Sequence, residues 1–446
     1  MSGVGVGPYA ELTFDADGDP DAAQRAALLR LDATDLVLFS HGWNSDRSVA
    51  TRLYDRFFAP FPELTGPGVR LGYAGVLWPS MRFSDEPIPD FDPPRAAPER
   101  PAPARPFGSA VRDAAAAATA LDAPTRAALD AFWPGRAAEL GRVAELLATQ
   151  PESAAAFAEF GALVRALAGM PDSPAAAAAA PAGGPGDALP ALFGADTLGV
   201  CADLTQALAE SGASLGGAAS ASLTGGLRTL WNGGKELLRQ ATYYTMKKRA
   251  GHIGEHGLGP VLGQLARSRP GLRVHLVGHS FGARLVSCAL RGLPPDVRTV
   301  KSLTLLQGAF SHYAFSESLP HDRRRSGHLG GLQTRVDGPV VSCHSRHDSA
   351  LGVFYPLASR LARDSAGFGA SDARWGAVGH DGIHAVPGTV RLTLDAALRE
   401  GLPRTGCASV DAAEVVRRGG APSGAHSDIC HEALARVVVT AGRFGR

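Results

Sequence analysis

Apolar residues along the chain form short runs, and several of these runs are followed by a helical pattern. Runs typical of β-strands cover 35–40, 75–78, 274–277, 302–306, 338–344 and 407–410. Apolar positions at helical spacing follow at 46–58, after residue 284 and at 429–439. Strands and amphipathic helices differ in the period of their apolar positions, so each segment can be assigned from this spacing. The two ends of the chain are therefore predicted to contain strand–helix units.

The middle of the chain has a different pattern. Residues 87–106 are rich in proline, aspartate and arginine, and 171–187 are a low-complexity stretch of alanine, proline and glycine. Both compositions are typical of segments without regular structure. Between them, apolar residues recur at helical spacing, namely Leu140, Val143, Leu146, Leu147, Phe157, Phe160, Val164 and Leu167. We therefore predict three parts: a core part at 1–90, a helical insertion at 91–250, and a second core part at 251–446.

One strand–helix unit carries a serine motif. A predicted strand leads directly into Gly278-His279-Ser280-Phe281-Gly282, and a helical pattern follows. With 54 glycines in 446 residues such a motif can arise by chance. The flanking strand and helix instead favour a sharp turn that lifts the Ser280 hydroxyl, exposed, above the sheet. Gly278 and Gly282 are expected because a Cβ at either position would strike the neighbouring strand or helix.

A second motif follows the run at 35–40. It reads His41-Gly42-Trp43, and Gly42 would let the backbone turn inward. The N–H of Trp43 would then face the same point as the N–H of Phe281, which opens the helix after Ser280. His41 and His279 are expected to support this arrangement. The alternative is a buried turn in which Trp43 only fills the core.

These two motifs resemble those of the α/β-hydrolase superfamily. The resemblance covers about residues 30–80 and 260–446 and leaves out the middle. It implies a doubly wound, mostly parallel eight-stranded sheet with helices on both faces, here with a large helical insertion. It also implies an oxyanion hole formed by Trp43 and Phe281, and a triad of serine, acid and histidine in that chain order. It implies no particular substrate, since this fold hosts several activities.

The triad order selects an acid and a base. Asp348 lies in the polar loop after the strand at 338–344, although it could merely cap a helix that begins near Ala350. His426 lies between the last predicted strand and the last helix, where this family keeps its base. His384 also keeps the required order and is the alternative base, with Asp381 as a local partner. His347 beside the proposed acid is a further rival.

The insertion is expected to cover the site as a cap or lid, with a decorative outer bundle as the alternative. Its small apolar faces favour an apolar acyl group. The stretch from Leu230 to Arg249 is amphipathic with a basic end. Such a helix could bind to a membrane surface. We favour instead a helix that anchors the cap to the core, with its basic side chains in solvent. Gln307 to Phe310 and Phe354-Tyr355 are expected to line the pocket, more for shape than for chemistry.

Composition and short motifs bear on which partners, cofactors and cellular location are expected. A net charge of +1 does not favour nucleic acid as a partner. No stretch of about 18 apolar residues is present, so no transmembrane segment is expected. No paired Cys-x-x-Cys, zinc motif or nucleotide-binding glycine loop occurs, so neither a metal nor a cofactor is expected. Five widely spaced cysteines and a start without an export signal favour a cytoplasmic protein; the cysteines are Cys201, Cys288, Cys343, Cys407 and Cys430.

The sequence therefore predicts a serine hydrolase that cleaves small-molecule carboxylic esters, esterase-like or lipase-like, through an acyl-enzyme on Ser280. One alternative is an inactive scaffold of hydrolase fold that binds a protein or a membrane through its insertion. A further alternative is an amidase, peptidase or thioesterase. The ester is preferred because peptide hydrolysis demands a better-placed acid for the leaving group.

Overall fold

A computed structural model gives the architecture of the chain. It describes residues 3–43, 45–85, 91, 119–170, 193, 196–210, 226–351, 376–420 and 423–444. The two stretches predicted to lack regular structure, 87–106 and 171–187, therefore lie outside the described residues apart from Phe91.

Eight strands form one sheet in which every neighbouring pair is parallel. Their order across the sheet is β1-β3-β2-β4-β5-β6-β8-β7. The strands are β1 Tyr9–Thr13, β2 Asp35–Ser40, β3 Leu71–Leu77, β4 Arg273–His279, β5 Val300–Leu306, β6 Pro339–His344, β7 Val390–Thr393 and β8 Gly406–Asp411. The predicted doubly wound α/β fold is confirmed, and the sheet is wholly rather than mostly parallel.

Helices lie on both faces of this sheet, and further helices belong to the insertion between β3 and β4. They are α1 Ala22–Arg30, α2 Arg47–Phe58, α3 Phe61–Leu64, α4 Ala123–Phe132, α5 Ala137–Thr149, α6 Ala154–Leu167, α7 Thr197–Glu210, α8 Trp231–His252, α9 Gly259–Ser268, α10 Phe281–Gly292, α11 Val378–Asp381, α12 Leu394–Arg399 and α13 Glu432–Gly442. A π-helical turn, Ile253–Leu258, joins α8 to α9. The last helix begins three residues later than predicted.

The core is divided by the sheet into two layers. Along β2, Leu36 and Leu38 pack into one layer, while Val37 and Phe39 pack into the other. This alternation follows from the two-residue period of a strand, and helices on both faces make both sets apolar. The first layer also receives α1, α9 and α10, and the second receives α2 and α13.

The strand order reverses direction at the centre of the sheet. After β2 the chain adds β3 on one side, and after β3 it crosses back to add β4 on the other side. Such a switch point leaves a crevice at the carboxyl ends of the two central strands, where ligands bind in open α/β sheets. Residue 41 directly follows β2, and Ser280 directly follows β4. The two predicted motifs therefore meet at this crevice.

The helices between β3 and β4 extend the first of the two apolar layers of the core. The apolar repeats predicted on α5 and α6 are buried there. Trp231 at the start of α8 is fully buried, with ring centroids 4.3 Å from Phe157 and 5.4 Å from Phe160. Its indole N–H donates to the Pro151 carbonyl at 3.2 Å. This aromatic cluster ties α8 to α6.

Polar contacts fix α8 to the segment that leaves β3. Asp85 pairs with Lys235 at 2.8 Å and with Arg239 at 2.6 Å. The Arg249 guanidinium donates to the Pro79 carbonyl at 3.0 Å and lies over the Phe132 ring. At the basic end of α8, the Arg249 side chain therefore binds other parts of the protein. The expectation of a fully solvated basic cluster is wrong for Arg249. Of the helices the structure describes, none has the length and apolar character needed to cross a bilayer.

Replacing Trp231 by alanine should lower the free energy of unfolding by about 3–5 kcal/mol, because it leaves a cavity between α6 and α8. Urea unfolding followed by circular dichroism measures this. Val390→Thr, at a side chain that is 38% exposed, is the control and should change the value by less than about 0.5 kcal/mol. Equal effects of the two substitutions would contradict the described packing of α6 on α8.

Candidate active site

Ser280 occupies the sharp turn between β4 and α10. Its backbone has φ 55° and ψ −120°, which L-residues rarely adopt. Its N–H donates to the Leu306 carbonyl at 3.1 Å, and its carbonyl accepts from Ala283 at 3.2 Å. The turn at 278–282, here called the serine turn, is therefore a strained strand-to-helix connection of the kind that presents a nucleophilic serine.

The serine turn packs against the end of β2 with no space for a side chain at two glycines. A Cβ on Gly282 would lie 2.0 Å from the Ser40 carbonyl oxygen and 2.3 Å from that of His41. A Cβ on Gly278 would lie 2.5 Å from the backbone of Ala283. The steric reason predicted for both glycines is confirmed.

Three polar side chains meet at this turn. The Ser280 hydroxyl lies 2.9 Å from His426 Nε2, and His426 Nδ1 lies 2.7 Å from Asp348 Oδ2. The other carboxylate oxygen of Asp348 accepts the Leu351 N–H at 3.0 Å. Asp348 thus caps the short helical segment after it and also binds His426. The structure brings together the serine, acid and base proposed from the sequence.

His279 supports the loop that carries His426. Its Nε2–H donates to the His426 backbone carbonyl at 2.8 Å, and the two rings lie 5.0 Å apart. Complete burial lowers the pKa of His279 to about 3, so its ring is neutral near pH 7. The loop is held further by the Ala425 N–H, which donates to the His347 carbonyl at 2.9 Å.

The His41–Trp43 loop is fixed by two residues that the sequence analysis missed. The His41 N–H donates to the Tyr54 hydroxyl at 2.9 Å, and that hydroxyl donates in turn to the Val76 carbonyl. The Trp78 ring stacks on the His41 ring at 5.4 Å, and its indole N–H donates to the His41 carbonyl. No sequence signal marks Tyr54 or Trp78, because each meets His41 only through the fold.

The His41 ring is neutral in this environment. Its Nδ1–H donates to the Gly42 carbonyl at 2.9 Å, which leaves Nε2 to accept from the Trp78 backbone N–H at 3.4 Å. Burial lowers the pKa of His41 to about 4. The ring therefore fixes the backbone conformation of Gly42 without adding a charge to the site.

Gly42 lies directly against the serine. A Cβ at Gly42 would lie 2.4 Å from the Ser280 Cβ, so only glycine fits at this approach. Within the described part of the chain, neither the Trp43 N–H nor the Phe281 N–H has a hydrogen-bond partner. Phe281 is the first residue of α10, where amides have no acceptor within the helix. These two N–H groups therefore have no acceptor among the described residues.

Ser280 is covered, contrary to the expectation of an exposed hydroxyl. The residue is 1% exposed, and His426 is 7% exposed. The Tyr243 ring on α8 contacts the Trp43 ring at 5.6 Å and the Phe281 ring at 4.5 Å. A helix that precedes β4 therefore lies over the serine turn. The hydroxyl is at the top of the sheet as predicted, but in a closed site.

The rival histidines form a separate cluster. His384 Nε2 lies 3.0 Å from the Asp381 backbone carbonyl, and its ring stacks on His312 at 4.4 Å. The Asp381 carboxylate instead pairs with His380 at 2.7 Å and His312 at 3.3 Å. Burial opposes ionisation of Asp381, but the adjacent His380 and His312 rings hold its pKa well below the usual range. Asp381 is therefore not the side-chain partner of His384.

Of the described imidazoles, the one within hydrogen-bonding distance of the Ser280 hydroxyl is that of His426. His347, the other rival, is exposed. The described residues contain no group of three or more His, Cys, Asp or Glu side chains placed to hold a metal ion. Gln307 to Phe310 follow β5 beside the serine turn, whereas Phe354-Tyr355 lies outside the described residues.

Comparison with protein-family models, with curated proteins and with solved structures finds no match. What can be inferred about the chemistry of the site therefore depends on its own geometry.

The neutral state of His41 predicts a dependence of stability on pH. In the unfolded chain His41 titrates near 6.5, whereas the folded protein keeps it neutral down to about 4. The stabilisation that comes from the lowered pKa of His41 is complete above pH 6.5. It is lost as the pH falls from 6.5 towards 4, because in this range the unfolded chain binds a proton at His41 that the folded protein does not bind. Between pH 7 and 5 the free energy of unfolding should fall by about 1–2 kcal/mol more in the wild type than in His41→Gln.

The measurement is guanidinium unfolding at both pH values. His347→Gln removes an exposed histidine and serves as the control, with the same fall as the wild type. If His41→Gln also shows the full fall, the buried neutral ring is not the cause.

Proposed function

We propose that this protein is a serine hydrolase of the α/β-hydrolase superfamily that cleaves carboxylic esters through an acyl-enzyme on Ser280. The observation that carries the proposal is the continuous chain of hydrogen bonds from the Ser280 hydroxyl through His426 to Asp348. Serine, histidine and acid in this geometry perform acyl transfer on several unrelated folds.

In the first half-reaction the nucleophile is activated by His426. Its Nδ1–H is donated to Asp348, which leaves Nε2 free to take the proton from the Ser280 hydroxyl. The serine oxygen then bonds to the ester carbonyl carbon, and the carbonyl oxygen becomes an oxyanion. Asp348 stabilises the imidazolium that forms. Collapse of the tetrahedral intermediate breaks the ester bond, and the alcohol leaves with the proton from Nε2.

The second half-reaction uses the same groups with water as the nucleophile. His426 Nε2 takes a proton from water, and the hydroxide oxygen bonds to the acyl carbon. Collapse of this second intermediate returns the proton to the Ser280 oxygen and releases the carboxylic acid. No external oxidant, reductant or cofactor takes part.

The oxyanion would be bound by the backbone N–H groups of Trp43 and Phe281. Both lie beside the serine turn, and the positive end of the α10 dipole lies at the same place. In related chemistry a single lost donor costs about 2.7–4 kcal/mol of barrier. The close approach of Gly42 to Ser280 keeps the Trp43 N–H near the reacting carbon.

The surroundings of the serine support an ester with an apolar acyl group. The Tyr243 ring contacts the rings of Trp43 and Phe281 at the serine turn. A substrate has to displace part of this aromatic cover, so we infer that α8 acts as a cap. In the described part of α8, Tyr243 contacts both Trp43 and Phe281.

The burial of Ser280 also favours a second candidate, a scaffold of hydrolase fold that does no catalysis. In that case the closed conformation would persist, and no electrophile would reach the hydroxyl. The two candidates differ in the reactivity of a single atom, so a covalent probe separates them.

A small fluorophosphonate should label wild-type protein at Ser280, because the probe reacts only with a serine activated by a neighbouring base. Intact-mass and peptide mass spectrometry measure the adduct. Ser280→Ala should remove labelling completely. Ser287→Ala, at a buried serine inside α10 whose hydroxyl donates to the Ala283 carbonyl, should leave labelling unchanged. A folded wild-type protein that is never labelled would favour the scaffold.

Alanine substitutions identify the base. His426→Ala should lower kcat/KM for p-nitrophenyl acetate by about 10³-fold or more, because no other described imidazole reaches Ser280. His384→Ala should stay within about tenfold of the wild type, since its ring binds Asp381 and His312 instead. Steady-state kinetics measure both. Loss of turnover in His384→Ala alone would assign the base to His384 and disprove the triad proposed here.

A further inference from the structure

Gln307 has a backbone conformation that glutamine rarely adopts. It directly follows β5 and has φ 46°, in the left-handed region. Its N–H donates to the Cys343 carbonyl at 3.2 Å, which ties the end of β5 to the end of β6. Strained residues at the carboxyl edge of a sheet are concentrated at ligand sites.

The backbone on both sides of Gln307 is bonded to the nucleophile. The Leu306 carbonyl accepts the Ser280 N–H at 3.1 Å, and the Ala309 N–H donates to the Ser280 carbonyl at 3.1 Å. Gln307 and Gly308 thus form a two-residue bulge between two hydrogen bonds to the same serine. Gln307 therefore lies beside the serine turn, between the strand that carries Ser280 and the strand that leads to Asp348.

The carboxamide of Gln307 has no hydrogen-bond partner in the part of the chain that the structure describes. The residue is 1% exposed, and neither its Oε1 nor its Nε2 has a hydrogen-bond partner among the described residues. Such a buried polar group destabilises a fold, and a methionine or leucine of similar volume would avoid the loss. A polar group retained at this cost next to a nucleophile indicates a ligand that satisfies it.

We propose that Gln307 determines specificity by binding an amide group of the ester substrate. The proposal rests on the proposed function of Ser280. A carboxamide offers one acceptor and two donors, and an amide returns a donor and an acceptor at matching spacing. An amide is also neutral, which suits a site whose flanking histidines, His41 and His279, are uncharged. The substrate class is therefore an ester with an amide near the scissile bond.

A matched control exists elsewhere in the chain. Gln150 is also a buried glutamine with a left-handed backbone, at φ 51°. Its Nε2 donates to the Thr119 hydroxyl at 2.5 Å, and its Oε1 accepts from Arg228 at 3.1 Å. The two glutamines therefore differ in whether the protein itself satisfies the carboxamide.

The first readout is thermal stability. Gln307→Met should keep or raise the melting temperature, because it removes an unsatisfied polar group, whereas Gln150→Met should lower it by several degrees. Gln307→Leu provides a second variant should methionine not be accommodated. A clear fall in melting temperature for both variants at position 307 would show that the protein satisfies this carboxamide internally, and it would overturn the proposal.

The second readout is substrate preference, measured with two pairs of equal chain length. On the acyl side, the p-nitrophenyl ester of N-acetylglycine is compared with p-nitrophenyl pentanoate. On the alcohol side, the butyrate ester of N-acetylethanolamine is compared with pentyl butyrate. In one of the pairs the ratio of kcat/KM, amide ester over apolar ester, should fall about tenfold in Gln307→Met. Gln150→Met should keep the wild-type ratio in both pairs.

The possible failures are distinguishable. If the wild type hydrolyses these esters and Gln307→Met changes neither ratio, Gln307 does not bind an amide and the proposed function stands. If the folded wild type hydrolyses none of the four esters and resists the fluorophosphonate, the proposed function itself fails, and the role of Gln307 fails with it.

Discussion

The close contact between the serine turn and the end of β2 is the constraint on which the site depends. Gly282 lies so near the Ser40 and His41 carbonyls that any side chain would push α10 away from the sheet. Gly42 lies equally close to Ser280 from the other side. With both contacts made, Ser280 is held at positive φ, and its hydroxyl lies at the switch point of the sheet. Loosening either contact would separate Ser280 from the His41–Trp43 loop.

The polar groups around this contact are buried but matched to one another. The neutral rings of His41 and His279 each donate a hydrogen bond to a backbone carbonyl. The Asp348 carboxylate accepts one hydrogen bond from His426 and one from a backbone N–H. A low-dielectric surrounding strengthens such hydrogen bonds and makes any unmatched group costly. The site therefore combines a rigid, satisfied frame with the unsatisfied carboxamide of Gln307.

Local sequence signals predicted the fold class and the positions around the serine turn. The glycines of the serine turn could be predicted because the strand, the motif and the helix are contiguous in the sequence. The expected chain order of serine, acid and histidine then left few candidates besides Asp348 and His426. The exposure of Ser280 was predicted wrongly, although a cap over the site was expected, because no local pattern shows that the Tyr243 ring packs against Phe281 beside the serine. The strands β1 and β7 were missed because each is short and lacks an uninterrupted apolar run. Tyr54 carries no signal apart from its three-dimensional neighbours, and Gln307 was expected to line the pocket for its shape, without a chemical role.

The order of the strands also has a consequence for how the chain folds. The central strands β2 and β4 are paired from Asp35 with Arg273 onward. In the chain these two strands are separated by helices α2 to α9. Closing so long a loop costs entropy before the pairing is gained, and contacts between distant segments slow folding. The last β2–β4 pair, Ser40 with Gly278, lies directly beside His41 and Ser280. Ser280 is therefore placed against the His41–Trp43 loop only when the paired strands that are farthest apart in the chain have met, and a partly folded chain lacks this contact.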